Sequence, residues 1–242
     1  MSRLVLGVNC VREALRAHGS QVTEVLVERG SPTLDALARF AEARGVPVQW
    51  ASRSTLDRLA DGTRHQGAAA RAPELAIASL DVVLEKPDVL VVALDEIQDP
   101  QNFGAIVRSA VAFGADAVMW GENASAPLTP STFRASAGAI EHATLVRVRS
   151  LRGALEQCVS AACEVVALDG GASVTIDRAP LAGATVIVVG SEGKGLKKGV
   201  RAIATRVVSV PMSGRLDSLN ASNAVAVALY ECVRQRRVVS SK

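Results

Sequence analysis

The chain has 242 residues, 49% of them hydrophobic, which is enough apolar material for a buried core and too much for a disordered chain. Its 27 Lys and Arg against 24 Asp and Glu leave a net charge of only +3, so any contact with a polyanion must come from local patches rather than a global field. Aromatic residues make up 3%, too few for a single-strand binder built as a row of stacking platforms. The longest charge-free apolar runs fall far short of the ~20 residues of a membrane helix. The opening MSRLVLGVNCVREAL lacks the charged, apolar, small-residue order of a secretory leader. A soluble, cytoplasmic protein with no membrane contact is therefore expected. Cys10, Cys158, Cys163 and Cys232 form no C-x-x-C pair and have no nearby His, so no metal site is expected and buried thiols are the default.

Residues 1–75 alternate short apolar runs with helical patterns, as a parallel or mixed α/β sheet requires. VTEVLVERG (22–30) alternates like a strand and stops at Gly30 and Pro32. LDALARFAEARG (34–45) places Leu34, Leu37, Ala38 and Ala41 on one helical face. VPVQWAS reads as a strand and SRSTLDRLA as a helix, with Ser52 or Ser54 available as its cap. Residues 76–87, bracketed by Pro73 and Pro87, read as a linker with a short helix near 80–85.

Residues 88–242 restart with VLVVALDEI, a run suited to a strand buried on both faces. A helix over 102–113 follows, then AVMW, a Pro-rich loop NASAPLTP, a short helix near 131–140, a strand near 144–148 and a helix over 151–163. EVVALDG, TVIVVGSEG and TRVVSVPM are further strands, and a helix from Ser218 to about Arg236 closes the chain. The class is thus α/β in both parts.

Polar residues collect where three buried strands end, the place where open α/β sheets bind ligands. The segments are DPQNFGAIVRSA (99–110), GSEGKG (190–195) and VPMSGRLDSLNASNA (210–224). Each alone could be an ordinary turn or cap; all three together are harder to dismiss. GSEGKG is neither G-x-G-x-x-G nor a phosphate-binding P-loop, because its glycines fall at 190, 193 and 195 and no Ser or Thr follows Lys194. His18, His65 and His142 stand away from these loops and no G-x-S-x-G occurs, so a hydrolase triad is absent as well.

N-F-G-A-I-V-R-S-A, G-S-E-G-K-G and P-M-S-G-x-x-x-S-L-N-A-S-N-A, in this order and spacing, resemble the three motifs of the SpoU/TrmH family of RNA ribose 2′-O-methyltransferases. The likeness spans residues 88–242. GVNCVREAL and RHQGAAAR in residues 1–75 resemble the ribosomal-protein-like substrate-binding domain of the bacterial subfamily that methylates a guanosine of 23S rRNA. The departures are slight: Ala221 stands where Val is common and Phe103 where Leu is common, and neither removes a functional group.

The resemblance implies a C-terminal domain with a deep trefoil knot, S-adenosylmethionine as cofactor, an RNA partner and a homodimer. Gly190, Val210 and Leu219 fall where the family holds the adenosine, and a residue without Cβ at 190 would let the backbone approach the ligand. Asn102, Arg108, Glu192, Ser218 and Asn220 match the residues given to catalysis and substrate contact. The family often casts the arginine as base. A guanidinium stays protonated, so Arg108 suits better a fork that grips an RNA phosphate and stabilises the developing alkoxide, with that phosphate or water taking the proton. Asn102 is expected in the loop before the helix and Arg108 on the helix, aimed at the ribose. Lys194, Lys197, Lys198 and Arg201, then Arg147, Arg149 and Arg152, then Arg234, Arg236 and Arg237 are three basic clusters, the first being the best placed for phosphate. Arg64, His65 and Gln66 would read RNA or merely stabilise a turn. The alternatives are a tRNA or resistance-type rRNA methyltransferase and a non-catalytic RNA-binding homologue; the latter would not need all five polar residues.

Overall fold

The computed structural model describes residues 2–122, 128–215 and 218–240. Two compact units emerge: one holds the chain up to Leu75 together with Leu128–His142, the other Ala76–Pro127 and Ala143–Lys242.

In the first unit, β1 (Ser2–Leu6), α1 (Val8–His18), β2 (Glu24–Val27), α2 (Pro32–Glu42), β3 (Val48–Trp50), α3 (Arg53–Ala60) and β4 (Ala68–Pro73) alternate along the chain. The sheet runs β1-β4-β2-β3, with β4 antiparallel to both neighbours and β2 parallel to β3. The strand and helix expectations for residues 22–60 hold within a few residues, and Ser52 is the cap of α3, accepting the Thr55 N–H at 3.2 Å. Strand β4 escaped the pattern reading. Its sequence, AAARAP, has poor β-propensity, yet Ala68, Ala69, Ala70 and Ala72 are wholly buried between β1 and β2. Small side chains are what a central strand needs when Leu15, Leu37 and Leu56 fill the space on its faces.

Residues 128–142, expected in the C-terminal part, pack in the first unit through α6 (Pro130–Ala135) and a 3₁₀ turn, Ala139–His142. Contacts of three residues explain this. Phe133 lies against the core of the first unit with the Arg3 guanidinium 4.9 Å from its ring centroid. Glu141, its side chain fully buried, binds both Nη atoms of Arg3 and sits 2.9 Å from His18 Nε2. Neighbouring His142 meets Glu13 of α1 at 2.9 Å. A single helical motif read in isolation carries no sign of these partners. The expected Pro-rich loop NASAPLTP falls in large part on residues 123–127, outside the described residues.

The second unit carries α4 (Leu80–Leu84), β5 (Leu90–Asp95), α5 (Pro100–Ala112), β6 (Ala117–Gly121), β7 (Leu145–Val148), α7 (Leu151–Ser160), β8 (Glu164–Leu168), β9 (Thr185–Gly190), α8 (Lys198–Arg201), β10 (Arg206–Val208) and α9 (Ala221–Ser240). Its sheet is parallel throughout, in the order β10-β8-β9-β5-β6-β7. The central strands β5 and β9 are buried along their whole length, as their unbroken apolar runs require. The presumed linker 76–87 belongs to this unit: Leu80 and Val83 of α4 are buried with Val91, Val186 and Leu155, and Ile77 bridges to Leu145. Buried Cys158 and Cys163 join the same core.

All four cysteines are buried free thiols, and burial pushes the pKa of Cys10 up to about 11 and of Cys158 and Cys232 to about 12. Among the described residues no helix is long and apolar enough to cross a membrane, and no cluster of side chains suited to a metal ion occurs.

Candidate active site

The parallel register sets Asp95, the last residue of β5, beside Gly190, the last of β9. The chain then turns sharply: Gly195 N–H donates to Ser191 O at 2.9 Å, and the loop backbone doubles back onto the strand end. A Cβ on Gly190 would lie 2.3 Å from the Gly195 carbonyl and 2.6 Å from Leu196 N. This corrects the reason expected for that glycine. The approach that forbids a side chain is the chain's own backbone, whatever ligand the loop also meets.

Asp95 fastens the far side of this loop. Its Oδ2 accepts the Lys197 backbone N–H at 2.7 Å, and Glu96 holds the Lys197 ammonium at 2.7 Å. Burial, at 3% exposure, raises the Asp95 pKa above the usual carboxylate range, with the Lys197 N–H opposing that shift. Asp95 lies outside the three motif segments. Its signal was there: one acidic letter closing an otherwise apolar strand.

The loop so anchored presents Glu192. The side-chain amide of Asn102 donates to Glu192 Oε1 at 2.9 Å, and the amide of Asn220 donates to the same oxygen. Asn220 also donates to Asn102 Oδ1 at 2.8 Å, closing a three-membered ring of hydrogen bonds across segments 90 and 118 residues apart in sequence. Three of the expected polar residues, one from each motif, thus meet. Glu192 forms no ion pair among the described residues, its Oε2 accepts no hydrogen bond there, and the residue is exposed.

Local rules account for two of the three positions. Asn220 caps α9: its Oδ1 accepts from the backbone of Ser222 at 2.9 Å and from the Ser222 hydroxyl at 2.6 Å. The final helix therefore starts at Ala221 rather than Ser218. Asn102 lies in the first turn of α5, not in the preceding loop, because Asp99 caps the Gln101 N–H at 3.0 Å and Pro100 takes the first helical position. Arg108 stands six residues on, about two-thirds of a turn around the helix from Asn102. It is exposed, without a hydrogen-bond or ion-pair partner among the described residues, and outside the ring.

Beside the ring is a cavity of about 650 Å³. Gly190, Val210 and Leu219 all line it, together with Glu192, Ser218 and Asn220. Leu168, Val189 and Met212 add apolar wall, and the backbone of the Ser191–Leu196 turn adds polar groups. Asp169 stands at its edge, its pKa lowered by the Gly171 N–H and by Arg201, which bonds it at 3.0 Å. Apolar walls with few polar groups and this volume suit a nucleoside-sized ligand. Leu216 and Asp217 of the third motif lie outside the described residues.

The basic clusters divide. Lys197, Arg201, Arg152 and Arg234 are tied to Glu96, Asp169, Glu156 and Glu231, and Arg147 reaches Glu122 at 4.0 Å. Arg236 caps carbonyls, donating to Gly183 O at 2.8 Å. Lys194, Lys198 and Arg149 have no ion-pair partner among the described residues. In the first unit, His65 is a buried turn residue: its Nδ1 accepts the Gly67 N–H at 3.0 Å, so the proton on Nε2 points to Asp57 at 2.9 Å.

Residues 89–230 match the family described as the SpoU rRNA Methylase family, and residues 4–78 match the family of RNA 2′-O ribose methyltransferase substrate binding domains. An uncharacterized tRNA/rRNA methyltransferase of Mycolicibacterium gilvum is 42% identical over 98% of this chain and 78% of its own length. Among solved structures, the SpoU methyltransferase AviRb from Streptomyces viridochromogenes in complex with AdoMet superposes with a TM-score of 0.79 over 98% of this chain and 91% of that one, at 28% identity. The A. aeolicus TrmH/SpoU tRNA modifying enzyme, also 28% identical, reaches a TM-score of 0.57 over 66% of this chain and 82% of its own. A sheet of this topology, three motifs meeting at its strand ends and a match over most of the chain leave one assignment: this chain belongs to the SpoU rRNA Methylase family.

Proposed function

We propose that the protein methylates a ribose 2′-hydroxyl in RNA, a guanosine of 23S rRNA being the substrate, with S-adenosylmethionine as cofactor. The observation that carries this reading is the Asn102–Glu192–Asn220 ring, one residue from each motif, beside a cavity lined by Gly190, Val210 and Leu219. The cavity fits the cofactor's adenosine on two counts: apolar walls from Leu168, Val189 and Val210, and backbone groups of the Ser191–Leu196 turn. When bound, the cofactor supplies an electrophilic methyl group.

The chain's own residues then do the rest. Asn102 and Asn220 occupy one oxygen of Glu192 and so orient the other, which is free to accept a hydrogen bond from ribose or a guanidinium. Arg108, exposed and without a partner among the described residues, grips an RNA phosphate as a two-pronged donor and stabilises the alkoxide as it develops. The hydroxyl proton leaves to that phosphate or to water. Ser218 positions the target nucleotide from the cavity wall. Lys194 and Lys198 supply phosphate contacts next to the Glu192 loop, which makes binding salt-sensitive.

The unit that holds residues 1–75 serves as the RNA substrate-binding domain and the unit that holds the three motifs as the catalytic one, with the deep trefoil knot of the family. The rRNA assignment draws support from the match over residues 4–78 and from the shorter coverage of the tRNA-modifying relative. A homodimer in the cytoplasm completes the reading; Val227, Tyr230 and Val238 leave one face of α9 exposed and apolar, at 39%, 58% and 50%. The deciding experiment is transfer of labelled methyl to unmodified 23S rRNA and to tRNA, with the modified position mapped. Methylation of one 23S guanosine is expected. A methylated tRNA with untouched rRNA would overturn the substrate, and no transfer to either would overturn the activity.

A further inference from the structure

We infer that Trp50, with Arg29 stacked on it, is a base-stacking site for an unpaired nucleotide of the RNA substrate; the inference rests on the RNA-methyltransferase reading above. Most aromatic rings of the chain are accounted for by packing. Trp120 is 5% exposed and edge-on to Phe103 at 5.3 Å between centroids. Phe40 has two guanidinium groups over its ring, Arg44 at 3.4 Å and Arg16 at 5.9 Å. Trp50 differs. It ends the edge strand β3, is 41% exposed, and has the Arg29 guanidinium over its ring, 4.6 Å from the centroid. At that exposure part of the residue's surface stands in water.

The sheet register places cations around it. Trp50 pairs with Val27 and Val27 with Ala68, so β2 and β3 end, and β4 begins, at one end of the sheet. Arg29 follows Val27 by two residues, Arg53 follows Trp50 by three, and Arg64 precedes Ala68 by four. All three arginines are exposed and none has an ion-pair partner among the described residues, whereas Asp57, the carboxylate of the adjoining helix, is engaged by His65. A partly exposed indole with a guanidinium over its ring and two further arginines without an ion-pair partner among the described residues is the chemistry that takes a splayed-out base and its flanking phosphates. A protein partner would more often be met by a wider apolar patch than one ring among arginines. The scarcity of aromatics excludes a row of stacking platforms and leaves room for a single one.

The tryptophan fluorescence that Trp50→Phe removes from the full-length protein reports Trp50, the other indole, Trp120, being buried against Phe103. Unmodified 23S rRNA fragments with unpaired loops should quench it, and a fully paired RNA duplex of equal length should not, its bases being already stacked. Trp50→Ala should weaken fragment binding, and raise KM for RNA, about tenfold, with kcat, cofactor affinity and melting temperature unchanged; Trp50→Phe should recover most of the loss, and Arg29→Ala should lose less than Trp50→Ala. Fluorescence unmoved by a fragment that the protein methylates, or Trp50→Ala with wild-type KM, overturns the stacking site and leaves the enzyme reading intact. Quenching by the duplex equal to that by the loop fragment overturns the base-stacking chemistry. If the wild-type protein neither binds nor methylates RNA, both readings fall together.

Discussion

Two glutamates, Glu141 in the first unit and Glu192 in the second, each tie together segments far apart in sequence, and they do so in opposite electrostatic ways. Glu141 has no exposed side-chain surface and is held by a guanidinium and an imidazole, so its charge is matched where it is buried. Glu192 is exposed and held by two neutral amides on a single oxygen, so its charge and its other oxygen are left for something else. A carboxylate that is compensated and buried reads as architecture. One that is oriented but not compensated reads as a site. Neither distinction is visible from the letter E.

The largest effect expected from this contrast is on stability. Glu141→Ala strands Arg3 and His18 in a half-dry pocket and should cost about 3–5 kcal/mol in a denaturant titration, the usual cost of breaking a buried pair. A loss under about 1 kcal/mol, the worth of a surface pair, would mean that residues 128–142 are held by Phe133 and the apolar contacts alone. Next is Arg108→Ala, which should reduce single-turnover methyl transfer by at least ~100-fold while folding and cofactor affinity stay near wild type. Arg108→Lys should fail too, since a point ammonium does not replace a planar fork; near-normal transfer by the lysine variant would refute the fork.

Glu192→Gln keeps an acceptor oxygen for both asparagines and deletes only the charge. Melting temperature should be unchanged and transfer should fall about tenfold, roughly 1.4 kcal/mol at the barrier. A destabilised but fully active variant would place Glu192 with Glu141, as structure. The smallest effect concerns Asp95. Burial raises its pKa, so the folded state holds the proton more tightly than the unfolded one. That contribution to stability is fully present below the unfolded carboxylate range and is lost as pH rises through the higher folded value. Asp95→Asn can still accept from Lys197 N–H but no longer titrates, so its stability relative to wild type should improve between about pH 3 and pH 7. A variant whose stability relative to wild type instead worsens over this range, in thermal melts at both pH values, would show that Lys197 and not burial governs the group.

Much of this was legible in the chain. The apolar runs of β5 and β9, the Ser52 cap and the three polar segments at strand ends follow from side-chain periodicity and local hydrogen bonding, which depend only on near neighbours. The choice of Asn102, Glu192 and Asn220 came instead from the resemblance of their motifs, each contiguous in sequence, to those of the SpoU/TrmH family. Other features depended on contacts across long stretches of chain. The alanines of β4 are a central strand because bulky neighbours leave room only for small ones. Residues 128–142 join the first unit because Arg3 and His18 wait for Glu141, more than a hundred residues away in the chain. Gly190 is required by the backbone of its own loop, and Asp95 by an N–H that arrives 102 residues later. From the chain alone, periodicity and local capping gave most of the strands and helices, and the resemblance of three motifs to the SpoU/TrmH family gave the candidate site residues. Only the tertiary structure decided which carboxylates are neutralised and which are left oriented and free, because the field at a charge is set by whatever folding brings within a few ångströms of it.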